Sequence, residues 1–397
     1  MVQLIPLLLA VAFSSTSFAH PDVKHGAVHT DHAFEGFGSL GRLGLALEAT
    51  VPAPSSAKER RRNVVELEER AVSNPKMAAG QNYYSALVAV GASYTDNAHS
   101  RDAAYAGSLR QYWPYNKFDG RYSNGPVAVE YMVGSSSTVS PALKQKGAIK
   151  LLDYAYGGSV IQNGLSGTGA SWPAAKDQIA SYLSHLKSGN AAIGAGRVLH
   201  YFNSGINPVS QVWNNALSAG MSATAISNAK AAITANVQAM ATAIRTINSD
   251  NTVYTTIHGA DYLIVGIPAM EIVPTVANQI PSTYSTRQRT QALALMKTLS
   301  EQFNSELQAF SKTFVVEARK RGGRVYFYDL AALWRSLHSS PRTNGITVSP
   351  VSSTCYNSVT GGVCTNSQNY LYFDTLHPVT SVHKLMAQKM NALVLGV

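Results

Sequence analysis

The chain has 397 residues, of which 45% are hydrophobic and 14% charged, and 32 Lys+Arg against 22 Asp+Glu leave a formal net charge of +10. That balance excludes an intrinsically disordered chain, and 30 Gly with 16 Pro in no repeating pattern exclude a collagen-like or low-complexity one. The length allows two or three domains of roughly 100–200 residues, or one larger α/β unit behind a leader.

The amino terminus reads as that leader. Residues 4–13 form a short apolar core, followed by Ser17-Phe18-Ala19, a small-x-small pattern that a signal peptidase accepts. A signal peptide over residues 1–19 is therefore expected. The core is shorter than the roughly 20 apolar residues needed to span a bilayer, and no later stretch is long enough. We expect a secreted, extracellular protein without stable membrane insertion.

Residues 20–70 differ from everything downstream. They hold four of the eleven histidines (His20, His25, His29 and His32), a Val51-Pro52-Ala53-Pro54 linker and the basic run Arg60-Arg61-Arg62. This composition reads as a propeptide and linker, a polar leader rather than a metal site, with a processing cut after Arg61, Arg62 or Arg70. Residues 71–397 then form a single domain. They carry 25 Lys+Arg and 14 Asp+Glu, so the basic surplus belongs to this domain.

Within it, apolar runs at residues 87–90, 149–152, 198–202, 262–267 and 325–328 are too short for helices and read as buried strands. Helical spacing of Ala, Leu, Lys and Gln predicts helices over 174–187, 223–247, 287–320 and 382–395. Five strands alternating with helices imply a mostly parallel sheet covered on both faces, and such sheets bind ligands beyond the carboxyl ends of their strands.

The segments following the strands carry the chemistry. Gly91-Ala92-Ser93-Tyr94-Thr95-Asp96-Asn97 follows the first run, Asp153-Tyr154-Ala155-Tyr156-Gly157-Gly158-Ser159 the second, and Asn203-Ser204-Gly205-Ile206-Asn207-Pro208 the third; Asp374-Thr375-Leu376-His377-Pro378 stands far downstream. A serine hydroxyl needs a histidine to take its proton and a carboxylate to orient the ring, and Asp374 and His377 lie three apart on one turn. The tetrahedral oxyanion needs donors already in place, and the Ser93 N–H, the Gly158 N–H and the Asn207 amide are the candidates. Gly157 is a rival for Gly158. Asp96 and Asn97 read as caps of a following helix, and Asp329 as the cap of a helix starting at Leu330.

Cys355 and Cys364 are the only cysteines. Two cysteines cannot supply a four-ligand zinc site, and in an oxidising compartment one disulfide closing a short loop is expected. No Gly-x-Ser-x-Gly elbow, Walker loop, dinucleotide-binding glycine pattern, His-Glu-x-x-His or EF-hand loop occurs, so neither metal nor cofactor is expected. The aromatic cluster Tyr112-Trp113-Pro114-Tyr115 suits sugar stacking, an acyl groove or loop packing equally. No nucleic-acid motif accompanies the basic charge, which reads as attraction to acidic polysaccharide or an anionic surface.

In the order Gly91-Ala92-Ser93, Gly158, Gly205-Ile206-Asn207 and Asp374-Thr375-Leu376-His377, the chain resembles the SGNH or GDSL hydrolases over about residues 85–395. Within them it is most similar to secreted fungal GDSL acetylesterases of the carbohydrate esterase type. Gly120-Arg121-Tyr122-Ser123-Asn124-Gly125-Pro126-Val127 and the strand end at 325–330 support the match. The resemblance implies a flavodoxin-like three-layer α/β/α sandwich around a five-stranded sheet, catalytic Ser93, Asp374 and His377, and an oxyanion hole of Ser93, Gly158 and Asn207. It implies a monomeric serine esterase removing acetyl or other short acyl groups from oligosaccharides. The alternatives are a GDSL lipase or phospholipase of the same mechanism, and a weakened hydrolase fold that binds saccharide. Two departures bear on the last: Ala92 and Pro208 stand where the family usually has aspartates that brace the nucleophile and oxyanion turns.

Overall fold

The computed structural model describes residues 84–97, 120–134, 149–166, 172–191, 193–194, 196–257 and 259–396. The expected leader and propeptide, His99 and the 112–115 aromatic cluster lie outside these residues.

Five strands build the sheet: β1 (Tyr84–Gly91), β2 (Lys150–Asp153), β3 (Arg197–Asn203), β4 (Ala260–Val265) and β5 (Val325–Tyr328). Their order is β2-β1-β3-β4-β5, every pairing is parallel, and helices flank the sheet in a three-layer α/β/α arrangement. The central strands are legible as mostly apolar runs because both faces are covered, leaving no position for a solvent-facing polar residue; the polar His200 and Asp261 within them are buried. Val88, Val198 and Leu263 are fully buried. The fourth strand ends at Val265, two residues before the apolar run does. There Asn304 of a neighbouring helix replaces the strand ladder, accepting from Ile267 N at 2.8 Å and donating to Ile267 O at 3.0 Å.

Between the strands lie α1 (Ala128–Met132), α2 (Ala175–Lys187), α3 (Ile206–Ser218), α4 (Ala223–Ser249), α5 (Asn251–Thr256), α6 (Pro274–Gln279) and α7 (Thr286–Arg319); α8 (Leu330–Ser339) and α9 (Thr380–Leu395) follow β5. The long helices start where side-chain oxygens take up free amides. Ser222 accepts from Ala225 N at 3.2 Å, and Ser285 forms a capping box with Gln288. As expected, Asp329 caps α8 through Ala332 N at 2.9 Å. α4 and α7 pack along one another, and α3 is pinned to α7 by a 2.8 Å bond from buried Trp213 Nε1 to Ala292 O.

The periodicity missed α3, whose first turn holds Asn207 and Pro208. A proline is tolerated there because the first amides of a helix have no carbonyl to meet. Asn207 therefore stands inside the helix, in its first turn.

Register determines where the site forms. Gly91 pairs with Asn203, and Ala89 with Asp153, so β1, β2 and β3 end side by side. The chain leaves β1 toward β2 on one side and later returns to β3 on the other. The β1–β3 boundary is thus the switch point of the sheet, where crevices open in folds of this kind.

Candidate active site

Ser93 sits two residues beyond β1, in a turn closed by Thr95 N and Asp96 N on Ala92 O, both at 2.9 Å. Its Oγ lies 2.8 Å from His377 Nε2, across 284 residues of sequence. His377 Nδ1 lies 2.8 Å from Asp374 Oδ2. The two Asp374 oxygens divide their work: Oδ1 accepts the Leu376 and His377 backbone amides at 2.8 and 2.7 Å, and Oδ2 is left for the imidazole. The three-residue spacing thus makes the carboxylate both the brace of its own turn and the partner of the ring. Burial pushes the Asp374 carboxyl up, but the His377 imidazole and the three hydrogen bonds outweigh it and hold the group below the ordinary carboxylate range.

The turn carrying His377 is clasped on both sides. Tyr94 OH donates to Leu376 O at 2.7 Å, Ser123 Oγ donates to Pro378 O at 2.9 Å, and Thr380 N donates to Asn124 Oδ1 at 2.9 Å. The Tyr122 and Tyr94 rings lie 5.3 and 5.8 Å from the imidazole centroid. Segment 120–127 is itself fixed by a buried pair, with Arg121 Nε donating to Glu130 Oε2 at 2.8 Å and Val127 N to the same oxygen at 2.9 Å. Cys355 and Cys364 are bonded as expected. Their hairpin supports the strand-like approach to Asp374, through Cys355 N to Tyr372 O at 3.0 Å and Tyr356 N to Phe373 O at 2.7 Å.

The oxyanion candidates come from three neighbouring strand ends. Gly158 has φ +77, a left-handed conformation that suits glycine. Among the described residues its amide and that of Ser93 donate to no partner, while the adjacent Gly157 N–H is taken by Asp96 Oδ2 at 2.8 Å. The Gly157 rival is thereby removed. Asn207 Nδ2 donates to Ser159 O at 2.8 Å, which holds the side chain against this loop and leaves its second hydrogen to donate.

Three positioning residues went unrecognised in the sequence. Asp96 binds the loop that carries Gly158, through the Gly157 amide; the helix it was expected to cap together with Asn97 lies outside the described residues. Asp153 accepts Asn97 N and Ala155 N, both at 2.9 Å, from the two loops it separates. Gln178 of α2 accepts Gly91 N at 2.9 Å and donates to Gly91 O and Ser159 Oγ, both at 3.0 Å. A signal for Gln178 existed: it is the polar member of the buried stripe Ala175, Gln178, Ile179, Tyr182, Leu183 and Leu186. These bonds supply bracing around the nucleophile turn, where Ala92 replaces the aspartate of the resembled family.

The remaining histidines stand apart. His200 is buried in the sheet, 3.0 Å from Tyr182 OH, and burial pushes it down to about 4. His383 is buried behind Tyr94, with ring centroids 6.0 Å apart. Among the described residues no group of His, Cys, Asp and Glu is arranged to hold a metal ion, and no helix is long and apolar enough to cross a membrane.

A family model described as GDSL-like Lipase/Acylhydrolase matches residues 87–390. No curated protein matches the chain.

Proposed function

The chain belongs to the GDSL-like lipase/acylhydrolase family, a family of ester hydrolases, and we propose that it is a secreted serine esterase acting on acetyl or other short acyl groups of oligosaccharides. One observation carries the serine mechanism: the continuous chain Ser93 Oγ, His377 Nε2, His377 Nδ1, Asp374 Oδ2, with both contacts at 2.8 Å.

In this mechanism Ser93 Oγ attacks the ester carbonyl carbon while His377 Nε2 takes its proton. Asp374 fixes the tautomer, because its Oδ2 accepts from Nδ1 and so leaves Nε2 with the lone pair; it also stabilises the imidazolium that forms. The carbonyl oxygen becomes an oxyanion held by the Ser93 and Gly158 amides and Asn207 Nδ2, donors that need no reorganisation. His377 returns the proton to the departing alcohol. Water then repeats the sequence on the acyl-Ser93 ester, releasing the acid and restoring the serine.

The short-acyl, carbohydrate reading rests on the likeness of the four motif blocks and on the basic surplus of residues 71–397, which suits a polysaccharide environment. The secretion reading rests on residues 1–19 and on the disulfide. A fluorophosphonate probe tests the mechanism: the intact protein is labelled and Ser93→Ala is not. Equal labelling of both, or of neither, overturns it. A panel from acetylated xylo-oligosaccharides to phospholipid tests the substrate. Faster turnover of long-chain than of acetyl esters puts the lipase reading in its place.

A further inference from the structure

At the amino-terminal end of the sheet, β3 and β4 begin beside a pocket of about 370 Å3 lined by Arg197, Asn248, Tyr254, Gly259, Tyr262 and Arg321, among others. Seven residues of β3 separate it from the edge that carries Ser93, about 20 Å at roughly 3.3 Å per residue. The pocket is therefore distinct from the catalytic crevice. We propose that it binds a uronic acid unit of an acidic polysaccharide.

Charge is the first argument. Arg197 is paired with fully buried Asp261, and its Nη2 also donates to Gly322 O at 2.8 Å, so this guanidinium is neutralised in the wall. Gly259 carries no side chain where a Cβ would strike that guanidinium, which keeps the wall flat. Arg321 is different: among the described residues it pairs with no carboxylate, and it lies 5.3 Å over the ring of Tyr254. The carboxylates close by are engaged, Asp250 with Lys187 at 3.0 Å and Glu317 with Arg245 at 2.8 Å. Arg319, Lys320 and Arg324 surround Arg321 in sequence and add to the positive field. Cations at the end of α7 offset its helix dipole, but that role requires neither a pocket nor an aromatic partner.

The shape and donors narrow the ligand. Asn248 accepts from Tyr262 OH at 3.2 Å through its carboxamide oxygen, so its NH2 is the end left to donate. A guanidinium fork and an amide donor match a carboxylate. Tyr254 is 61% exposed, one of few large apolar side chains so displayed among the described residues, and offers a face to a sugar ring. The volume falls at the small end of ligand pockets, room for a unit or two rather than a long chain. A polysaccharide held here while Ser93 works elsewhere on the same chain gains from the linkage of two sites. That advantage rests on the carbohydrate reading of the active site; the binding does not.

The test is calorimetric titration of the full-length Ser93→Ala protein at low ionic strength, so that failure of the esterase reading leaves the result untouched. The probes are trigalacturonate, xylotriose and sodium sulfate. Trigalacturonate is expected to bind about tenfold or more tighter than either of the others. Arg321→Ala and Tyr254→Ala, made separately so that one misfolded variant does not remove the test, are each expected to weaken it about tenfold. In the Ser93 background the same substitutions leave hydrolysis of a small neutral ester unchanged. Equal binding of xylotriose overturns carboxylate recognition, and equal binding of sulfate overturns the saccharide. Absent trigalacturonate binding, or binding indifferent to both substitutions, overturns the site.

Discussion

Asp96 Oδ2 accepts the Gly157 N–H at 2.8 Å, and this bond selects which of two adjacent glycine amides is left to meet an oxyanion. Asp96 is itself buried and lies three residues past Ser93, so this bond ties the turn of the candidate nucleophile to the loop that carries Gly158. Removing the acceptor in Asp96→Ala is expected to lower kcat by about tenfold to a hundredfold through misplacement of the Gly158 amide, with little change in KM. Asp96→Asn keeps an acceptor oxygen and recovers much of the loss. Steady-state kinetics of the pair check this; equal losses in the two variants sink the positioning role.

Gln178 gives the same turn its second anchor. In Gln178→Leu the buried Gly91 N–H loses its acceptor. That costs about 1–3 kcal/mol, so Tm falls by a few degrees together with kcat. Because Gln178 and Asp96 already hold the loops around Ala92, and Pro208 stands inside a helix, restoring the family pattern in Ala92→Asp with Pro208→Asp is expected to raise kcat little. A large gain in the double variant shows that the turns are under-braced.

Asp374→Asn keeps an oxygen for the Leu376 and His377 amides but presents an NH2 to His377 Nδ1, which then has to accept and leaves its proton on Nε2. The ring can no longer take the serine proton. The expected loss in kcat is about 10,000-fold, with Tm nearly unchanged. A comparable collapse of Tm measured by calorimetry reassigns Asp374 to a structural role.

His383 is pushed down to about 3 by burial, with a smaller contribution from His377. An unfolded histidine titrates near 6.5, so below that pH the unfolded chain binds a proton that the native state refuses. Stability is therefore fully present above about pH 6.5 and falls as pH drops toward 3. His200, pushed down to about 4, acts in the same direction. Asp374 adds acid sensitivity only at lower pH, through the carboxylate range. Between about pH 7 and 5, Tm is expected to decline, and His383→Leu, which removes a ring with no hydrogen-bond partner, is expected to flatten the decline. Parallel Tm profiles for the two proteins refute this assignment.

Much of the fold was legible because burial imposes patterns that survive in one dimension. β1 and β3 read as short, mostly apolar runs since both sheet faces are covered, and Asp329 marks the start of α8 by local chemistry. The Asp374-x-x-His377 turn was equally readable, since the same carboxylate satisfies neighbouring backbone amides and the ring three residues on. α3 was not, because Pro208 in its first turn is also a loop signal and only packing of Trp213 against α7 favours the helix.

The sequence by itself determined the order of the strands along the chain, the family, and which serine, aspartate and histidine were worth pairing. Only the tertiary structure decided that Ser93 and His377 meet across 284 residues, that Gly157 rather than Gly158 donates its amide to Asp96, and that Asp96, Asp153 and Gln178 bond to the loops around Ser93. That Arg321 lies over Tyr254 beside the starts of β3 and β4 was likewise decided only by the fold. The reason is common to all of these. A hydrogen bond or an unpaired charge depends on distances between side chains remote in sequence, and those distances exist only after the strands have been laid beside one another.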